Sequence, residues 1–298
     1  MTFASDTVAT TRRIQRLRQY MAQNVLAPSG QCICRKLGSC RQSVLPSRRT
    51  ASGARAAFAA GQLSHVGHHY DLLVDGRPMR ILVIAMETGR SREGVTLEER
   101  HAEVMHSAGL PFTGRNPHMQ GVTSALRTAV GRRPGADREG EHLPVHGLRK
   151  AVHLFDAFAM ANMRLCSATD PGTTRSRGNA TMSRNCSPHM AATIKLLEPT
   201  LCIVQGAAVH SALATLMTHR RQLGPRLEQV RIAGVDTLVA DFTHPSAWGR
   251  HRWAGLTTVP YLYDTVVPTL TEAHRLMSRD RRAIGVATVP GQPDRRRR

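Results

Sequence analysis

Three side-chain groups with chemical potential, and one glycine, recur along this 298-residue chain, each just behind a short apolar run. A carboxylate follows the first run, in Glu87-Thr88-Gly89; the amide Asn162 follows the second; Gly206 follows the third; and an imidazole follows the fourth, in His244-Pro245-Ser246. Carboxylate, amide and imidazole are the types that hold water, read a polar edge, and donate or accept a proton. Singly, each has a plainer reading, because a Gly or Asn after a strand commonly shapes a turn and a histidine commonly packs in a core. Their order is the signal. Six cysteines form a second set, at 32, 34, 40, 166, 186 and 202. In a reducing compartment such cysteines are read for metals first and for core thiols second. Cys202, inside an apolar run, reads as a core thiol. His65, His68 and His69 make a third set, and with no spaced acidic or cysteine partner they read as surface or hairpin-packing residues.

The elements that must position these groups follow from the same pattern. The apolar runs at 80–86, 154–160, 201–205 and 237–242 are expected to be strands, and 116–130, 182–197, 207–218 and 258–277 to be helices. Such alternation predicts an α/β fold, a three-layer α/β/α sandwich around a central, mainly parallel four-stranded sheet, with ligands at the carboxyl ends of the strands. Asp75-Gly76 between apolar residues predicts a hairpin. Residues 11–25 predict a basic amphipathic helix, while 27–62 read as irregular chain and 131–149 as a Gly/Pro/charge-rich excursion. Three parts are expected: 1–78, a basic helix, cysteine segment and hairpin strand wrapping the core; 79–280, the α/β/α domain; and 281–298, a disordered basic tail.

The chain carries 41 Lys and Arg against 21 Asp and Glu, a net charge of +20. Only Lys36, Lys150 and Lys195 are lysines, and the terminal Arg295 to Arg298 with Asp294 supply a small share of the excess. A spread of this size suggests a polyanion partner, with nucleic acid first; the plainer alternative is a cationic protein with no such partner. A hydrophobic content of 41% excludes a fully disordered basic chain. No stretch approaches the roughly 20 apolar residues of a membrane span, and residues 1–27 lack the apolar centre of a signal peptide. The expected setting is cytoplasmic, with no membrane partner.

Gly109-Leu-Pro-Phe-Thr-Gly-Arg115 ahead of a helix, Asn162-Met-Arg-Leu-Cys166, Cys186 within a helix, Pro199-Thr-Leu-Cys-Ile-Val-Gln-Gly206 and His244-Pro-Ser246 occur in that order. Together they resemble the uracil-DNA glycosylase superfamily, most nearly its iron–sulfur members, over residues 79–270. The resemblance implies a monomer that hydrolyses the N-glycosidic bond of uracil, or of a related deaminated base, in DNA. It implies that Phe112 stacks on the extruded base, that Asn162 reads the O4 and N3–H edge of uracil, and that His244, with Ser246, supports departure of the uracil anion at O2. Phe112 also reads as a core aromatic, Asn162 as a turn residue and His244 as a core histidine. The first motif departs from the iron–sulfur pattern: Ala85-Met-Glu-Thr-Gly89 has its acid third, where another branch of the superfamily carries a water-orienting Asp. Glu87 is then the expected catalytic carboxylate, with Met86 and Gly89 beside the substrate, and altered specificity or lost activity stays open. The resemblance further implies a [4Fe–4S] cluster on Cys34, Cys40, Cys166 and Cys186, with Cys32 surplus; zinc is the alternative metal. Trp248, Arg250 and Trp253 fall where the family probes the DNA stack, and read equally as a wedge or as loop packing. A weakened member that binds nucleic acid without cleaving it is the runner-up. A branch that crosslinks covalently to uracil-DNA needs a histidine after the Asn strand, and residues 167–185 contain none.

Overall fold

The computed structural model describes residues 1–44, 57–89, 92–170, 173, 176–255 and 259–278, so the expected tail at 281–298 lies outside the described residues. Two five-residue strands, Ile81–Ala85 and Leu201–Gln205, are buried at every position and pair in parallel, with Val83 beside Ile203. Strands covered on both faces show continuous apolar runs rather than alternation, as these do. Ala159–Asn162 adds in parallel on one side of the pair and Val235–Phe242 on the other. The four expected strands thus form a parallel core. The path turns back on itself between Ile81–Ala85 and Leu201–Gln205, so the two neighbours send their connections in opposite directions, the usual setting for a ligand crevice at the carboxyl ends.

The sheet is wider than the four strands expected. An antiparallel pair, Met217–Gly224 and Leu227–Ile232, extends the Val235–Phe242 edge, and His65–Val66 pairs antiparallel with Ala159 and Met160 at the other. The outermost strand is mostly exposed and reads Met-Thr-His-Arg-Arg-Gln-Leu-Gly, so it has no apolar run to reveal it. The helix expected at 207–218 ends at Ala214 because the chain enters this strand. The run expected as a strand at 154–160 divides into a 3₁₀ turn, Leu154–Asp156, and the strand Ala159–Asn162.

Seven α-helices flank the sheet among the described residues: α1 Thr7–Asn24, α2 Leu37–Val44, α3 Leu97–Gly109, α4 Pro117–Ala129, α5 Ala180–Leu197, α6 Ala207–Ala214 and α7 Val267–Ser278. Alternate strand residues divide between two cores. Ile81, Val83, Leu201, Ile203, Ala240 and Phe242 join α4 and α7 on one face. Leu82, Ile84, Cys202, Val204 and Val239 join α1, α5 and α6 on the other. Two layers of helix around one sheet give an α/β sandwich. Residues 1–78 share these cores: α1 buries Leu17 and Met21 beside Leu82, and His65–Val66 belongs to the sheet. The hairpin expected at Asp75-Gly76 is present, with φ of 48° and 77° at the two turn residues, the left-handed values a two-residue turn of this kind needs. Within 27–62, expected to be irregular, Cys40 lies on α2 and Ala57–Ala59 pairs with Ser167–Thr169; residues 45–56 lie outside the described residues. α3 was not anticipated, although Thr96 and Glu99 form a capping box at its start. No helix among the described residues is long and apolar enough to cross a membrane.

Candidate active site and cysteine cluster

The loop after Val235–Phe242 carries His244, and three contacts fix it. Trp253 is fully buried, and its Nε1–H donates to the Thr243 carbonyl at 2.7 Å. The main-chain N–H groups of Trp253 and Ala254 donate to the Pro245 carbonyl. On α4, Gly121 leaves the space that Pro245 fills: a Cβ there would lie 2.6 Å from Pro245 Cγ and 3.1 Å from Trp253 Cζ3. Asn116 caps α4 by accepting from the Met119 N–H at 2.9 Å, which sets His118 in the first turn. The His118 and His244 rings lie near parallel, centroids 5.9 Å apart. Burial, with a smaller contribution from His244, lowers His118 to about 4, and desolvation also lowers His244. Both rings are therefore neutral at pH 7. His244 Nδ1 lies 2.8 Å from Ser246 Oγ and accepts from the Ser246 N–H at 3.2 Å, so hydrogen bonding assigns the ring proton to Nε2. Of the two tryptophans, Trp253 packs the loop, whereas Trp248 is 96% exposed beside the exposed Arg250.

His118 Nε2 is 3.5 Å from Met160 Sδ, and Met160 lies two residues before Asn162 on the same strand face. Asn162 donates from Nδ2 to Thr88 Oγ1 at 3.0 Å. Gln205, at the carboxyl end of the neighbouring parallel strand, alternates onto the face of Leu201 and Ile203, which is also the α4 face. It is 1% exposed, and neither its Oε1 nor its Nε2 has a hydrogen-bond partner among the described residues. A buried amide with no partner is costly, and any group that offers both donor and acceptor would recover that cost. The sequence stretch ending at Gly206 contained Gln205 without pointing to it, and nothing singled out His118.

Glu87 has a different environment. Its Oε2 accepts from Arg164 Nη1 at 2.9 Å, and Arg164 Nε donates to Ser183 Oγ on α5 at 2.9 Å. The two charged side chains are only 4% and 9% exposed. Glu87 Oε1 is buried without a partner, and a Cβ on Gly178 would fall 2.1 Å from Oε2, so the main chain passes directly over the pair. Met86 Sδ lies 4.0 Å from Ser183 Oγ, on the α5 side, and Gly89 is half-buried. Phe112 is 3% exposed, with no open face. Arg115, at the end of the same motif, is the latch of that loop. It forms a buried ion pair with Glu141 at 2.6 Å, bonds the carbonyls of Ser107, Ala108 and Leu110, and lies over the Phe155 ring.

Five of the six cysteines converge. Cys32 lies by Cys166, Cys34 is near Cys32 and Cys40, and Cys186 is near Cys166, Cys40 and Cys34. The four expected ligands are therefore neighbours, and Cys32 stands with them. Asn179 holds two of the carrier helices together: it caps α5 by accepting from the Met182 N–H and donates to the Ser43 carbonyl at the end of α2. Two sulfurs are met by N–H donors, from Leu165 to Cys186 at 3.4 Å and from Asn185 to Cys40 at 3.3 Å. His189 Nε2 lies 3.7 Å from Cys34 Sγ. Such donors stabilise thiolates. Among the described residues no three cysteine sulfurs lie within 4.8 Å of one another, a spacing wider than a single ion needs. Cys202 stands apart, buried beside Thr237, as a core thiol.

No protein-family model and no curated protein matches this chain. What the chain can do rests on these side chains. The histidines at 65, 68 and 69, expected to be surface or packing residues, gain partners from far along the chain: His65 bonds the Phe155 carbonyl, and His68 faces Asp156 and His101. His69 lies 3.1 Å from Ser5 Oγ.

Proposed function

We propose that the chain is a DNA glycosylase that hydrolyses the N-glycosidic bond of uracil, or of a related deaminated base, in DNA. One observation carries this reading: Asn162, His118, His244 and the unpartnered Gln205 amide collect on one face at the carboxyl ends of the parallel strands. A flipped pyrimidine offers the alternating donors and acceptors that such a set would bond. His244 Nε2–H donates to uracil O2, where negative charge grows as the glycosidic bond breaks, so it stabilises the transition state more than the ground state. Asn162 exchanges its bond to Thr88 for uracil O4 and N3–H. Trp248 and Arg250 form an exposed projection that reaches the duplex, and the +20 charge supplies the phosphate attraction. Glu87 would face the sugar cation and hold water only after leaving Arg164. The cysteines fit a four-iron cluster in number and N–H donation: Cys34, Cys40, Cys166 and Cys186 would hold it, with Cys32 able to replace one of them. A cluster there would tie the 27–44 segment to α5 and act structurally.

The engagement of Glu87 by Arg164, together with the sealed face of Phe112, favours a second reading, a nucleic-acid-binding protein that does not cleave. Incubation of purified protein with a fluorescent uracil-containing oligonucleotide, followed by alkaline cleavage, separates the two. A shortened band supports excision. Salt-sensitive retardation of the oligonucleotide without that band supports binding alone, and neither result leaves the +20 charge without a nucleic-acid role.

A further inference from the structure

At the sheet edge formed by His65–Val66, the chain gathers two imidazoles and a carboxylate from three separate elements. His68 lies in the turn after the edge strand, His101 on α3, and Asp156 in the 3₁₀ turn Leu154–Asp156. The arrangement is rigid. The His69 N–H donates to the Asp156 carbonyl at 2.8 Å, the His68 N–H to Asp156 Oδ1 at 2.7 Å, and the Gly67 N–H to the Phe158 carbonyl at 2.9 Å. Only glycine allows this approach, since a Cβ at Gly67 would fall 2.3 Å from the Asp156 carbonyl oxygen. His65 bonds the Phe155 carbonyl at 2.8 Å and stacks flat on the His101 ring at 5.3 Å, fixing that ring's plane.

We propose that His68, His101 and Asp156 form a binding site for one divalent transition-metal ion of the zinc type. One ligand atom from each lies within 4.8 Å of the others. His68 Nδ1 is 3.3 Å and His101 Nε2 3.9 Å from Asp156 Oδ1. Metal–ligand bonds of about 2.0–2.1 Å in a tetrahedron require ligand atoms about 3.3–3.4 Å apart, so one edge already fits and the other closes by a small rotation of His101. Two nitrogens and one carboxylate oxygen suit zinc, cobalt or nickel and disfavour calcium and magnesium. His68 is 65% exposed at its side chain, which leaves the fourth position to water. The orienting groups round the ligands, His65 on His101 and the His68 main chain on Asp156, are the outer partners that a metal site needs. The two rings lie 4.3 Å apart and share one carboxylate, an arrangement that a bound cation would bridge.

Thiolates in general bind such metals too, so the test must separate nitrogen and oxygen from sulfur ligation. Full-length protein, purified anaerobically and left with its cysteines as they are, is titrated with Co²⁺ and followed by absorption. The expected result is one equivalent of visible ligand-field absorption with no added thiolate-to-cobalt band, discharged by Zn²⁺. Binding should weaken at least about tenfold in His68→Ala and in Asp156→Asn, and be unchanged in His69→Ala. His68→Ala alters an exposed side chain and Asp156→Asn keeps an acceptor for the His68 N–H, so both are expected to fold; matching circular dichroism checks this. Cobalt absorption confined to a thiolate-bearing species, or unchanged in both variants, overturns the proposal.

Discussion

Replacing Arg164 by Met tests whether the Glu87 pair is a structural element of the fold. The wild-type guanidinium spans Glu87 Oε2 and Ser183 Oγ, each at 2.9 Å, beneath the main chain at Gly178. Methionine fills much of the volume but leaves a carboxylate, 4% exposed, whose Oε1 already lacks a partner. Removing one member of a buried pair costs roughly 3–5 kcal/mol, because the surviving charge keeps its desolvation penalty and loses its partner. For a domain of this size each kcal/mol corresponds to about 2–4 °C, so the midpoint should fall by roughly 6–20 °C. Urea and thermal unfolding followed by circular dichroism measure the loss. Glu87→Gln should cost less, since its amide oxygen still accepts from Arg164. The double variant Arg164→Met/Glu87→Gln should recover much of the deficit, as no charge is then stranded. A loss below about 1 kcal/mol for Arg164→Met, or additive losses in the double variant, would show that the pair is solvated and that Glu87 is free to act elsewhere.

Gly121→Ala should displace the His244 loop, because its Cβ would sit 2.6 Å from Pro245 Cγ; we expect a loss of about 1–3 kcal/mol in urea unfolding and slower turnover of any uracil substrate. For His118, lowered to about 4 mainly by burial, the unfolded chain gains a proton below about pH 6.5 that the folded chain refuses until about pH 4. Stability from this group is therefore complete above pH 6.5 and lost as pH falls toward 4, and wild type should lose up to about 3 kcal/mol more than His118→Gln over that window in denaturation midpoints. Trp248→Ala should leave stability within about 0.5 kcal/mol, since the ring is 96% exposed, yet weaken duplex binding in a fluorescence-anisotropy titration; unchanged affinity would remove the projection from the DNA contact.

The parallel core was legible because both-face burial writes itself as apolar runs, and Ile81–Ala85 and Leu201–Gln205 lie close to their expected bounds. The Asp75-Gly76 turn was legible because its backbone demands those residues. The outer strand Met217–Gly224 was hidden by its exposure, and α2 by the short, Ser-rich sequence round Cys40. Within the candidate site, residue types were visible but partners were not. Glu87 reads as a free acid until Arg164 is seen against it, and His68 reads as a surface histidine until the fold brings Asp156 to it. Such pairings depend on contacts across tens of residues, which local spacing does not encode. The surplus among Cys32, Cys34 and Cys40 stayed open for the same reason, since Cys32 approaches Cys166 while Cys34 and Cys40 approach Cys186.

Single-turnover release of free uracil from a uracil-containing oligonucleotide, quantified by mass spectrometry for wild type and His244→Ala, tests the central claim most directly. The account predicts release by wild type, and a rate lower by roughly 10²–10³ in His244→Ala with oligonucleotide affinity little changed, the cost of losing one preorganised donor to the departing anion. No uracil released by folded, DNA-binding wild type, or equal rates for the two proteins, would contradict it.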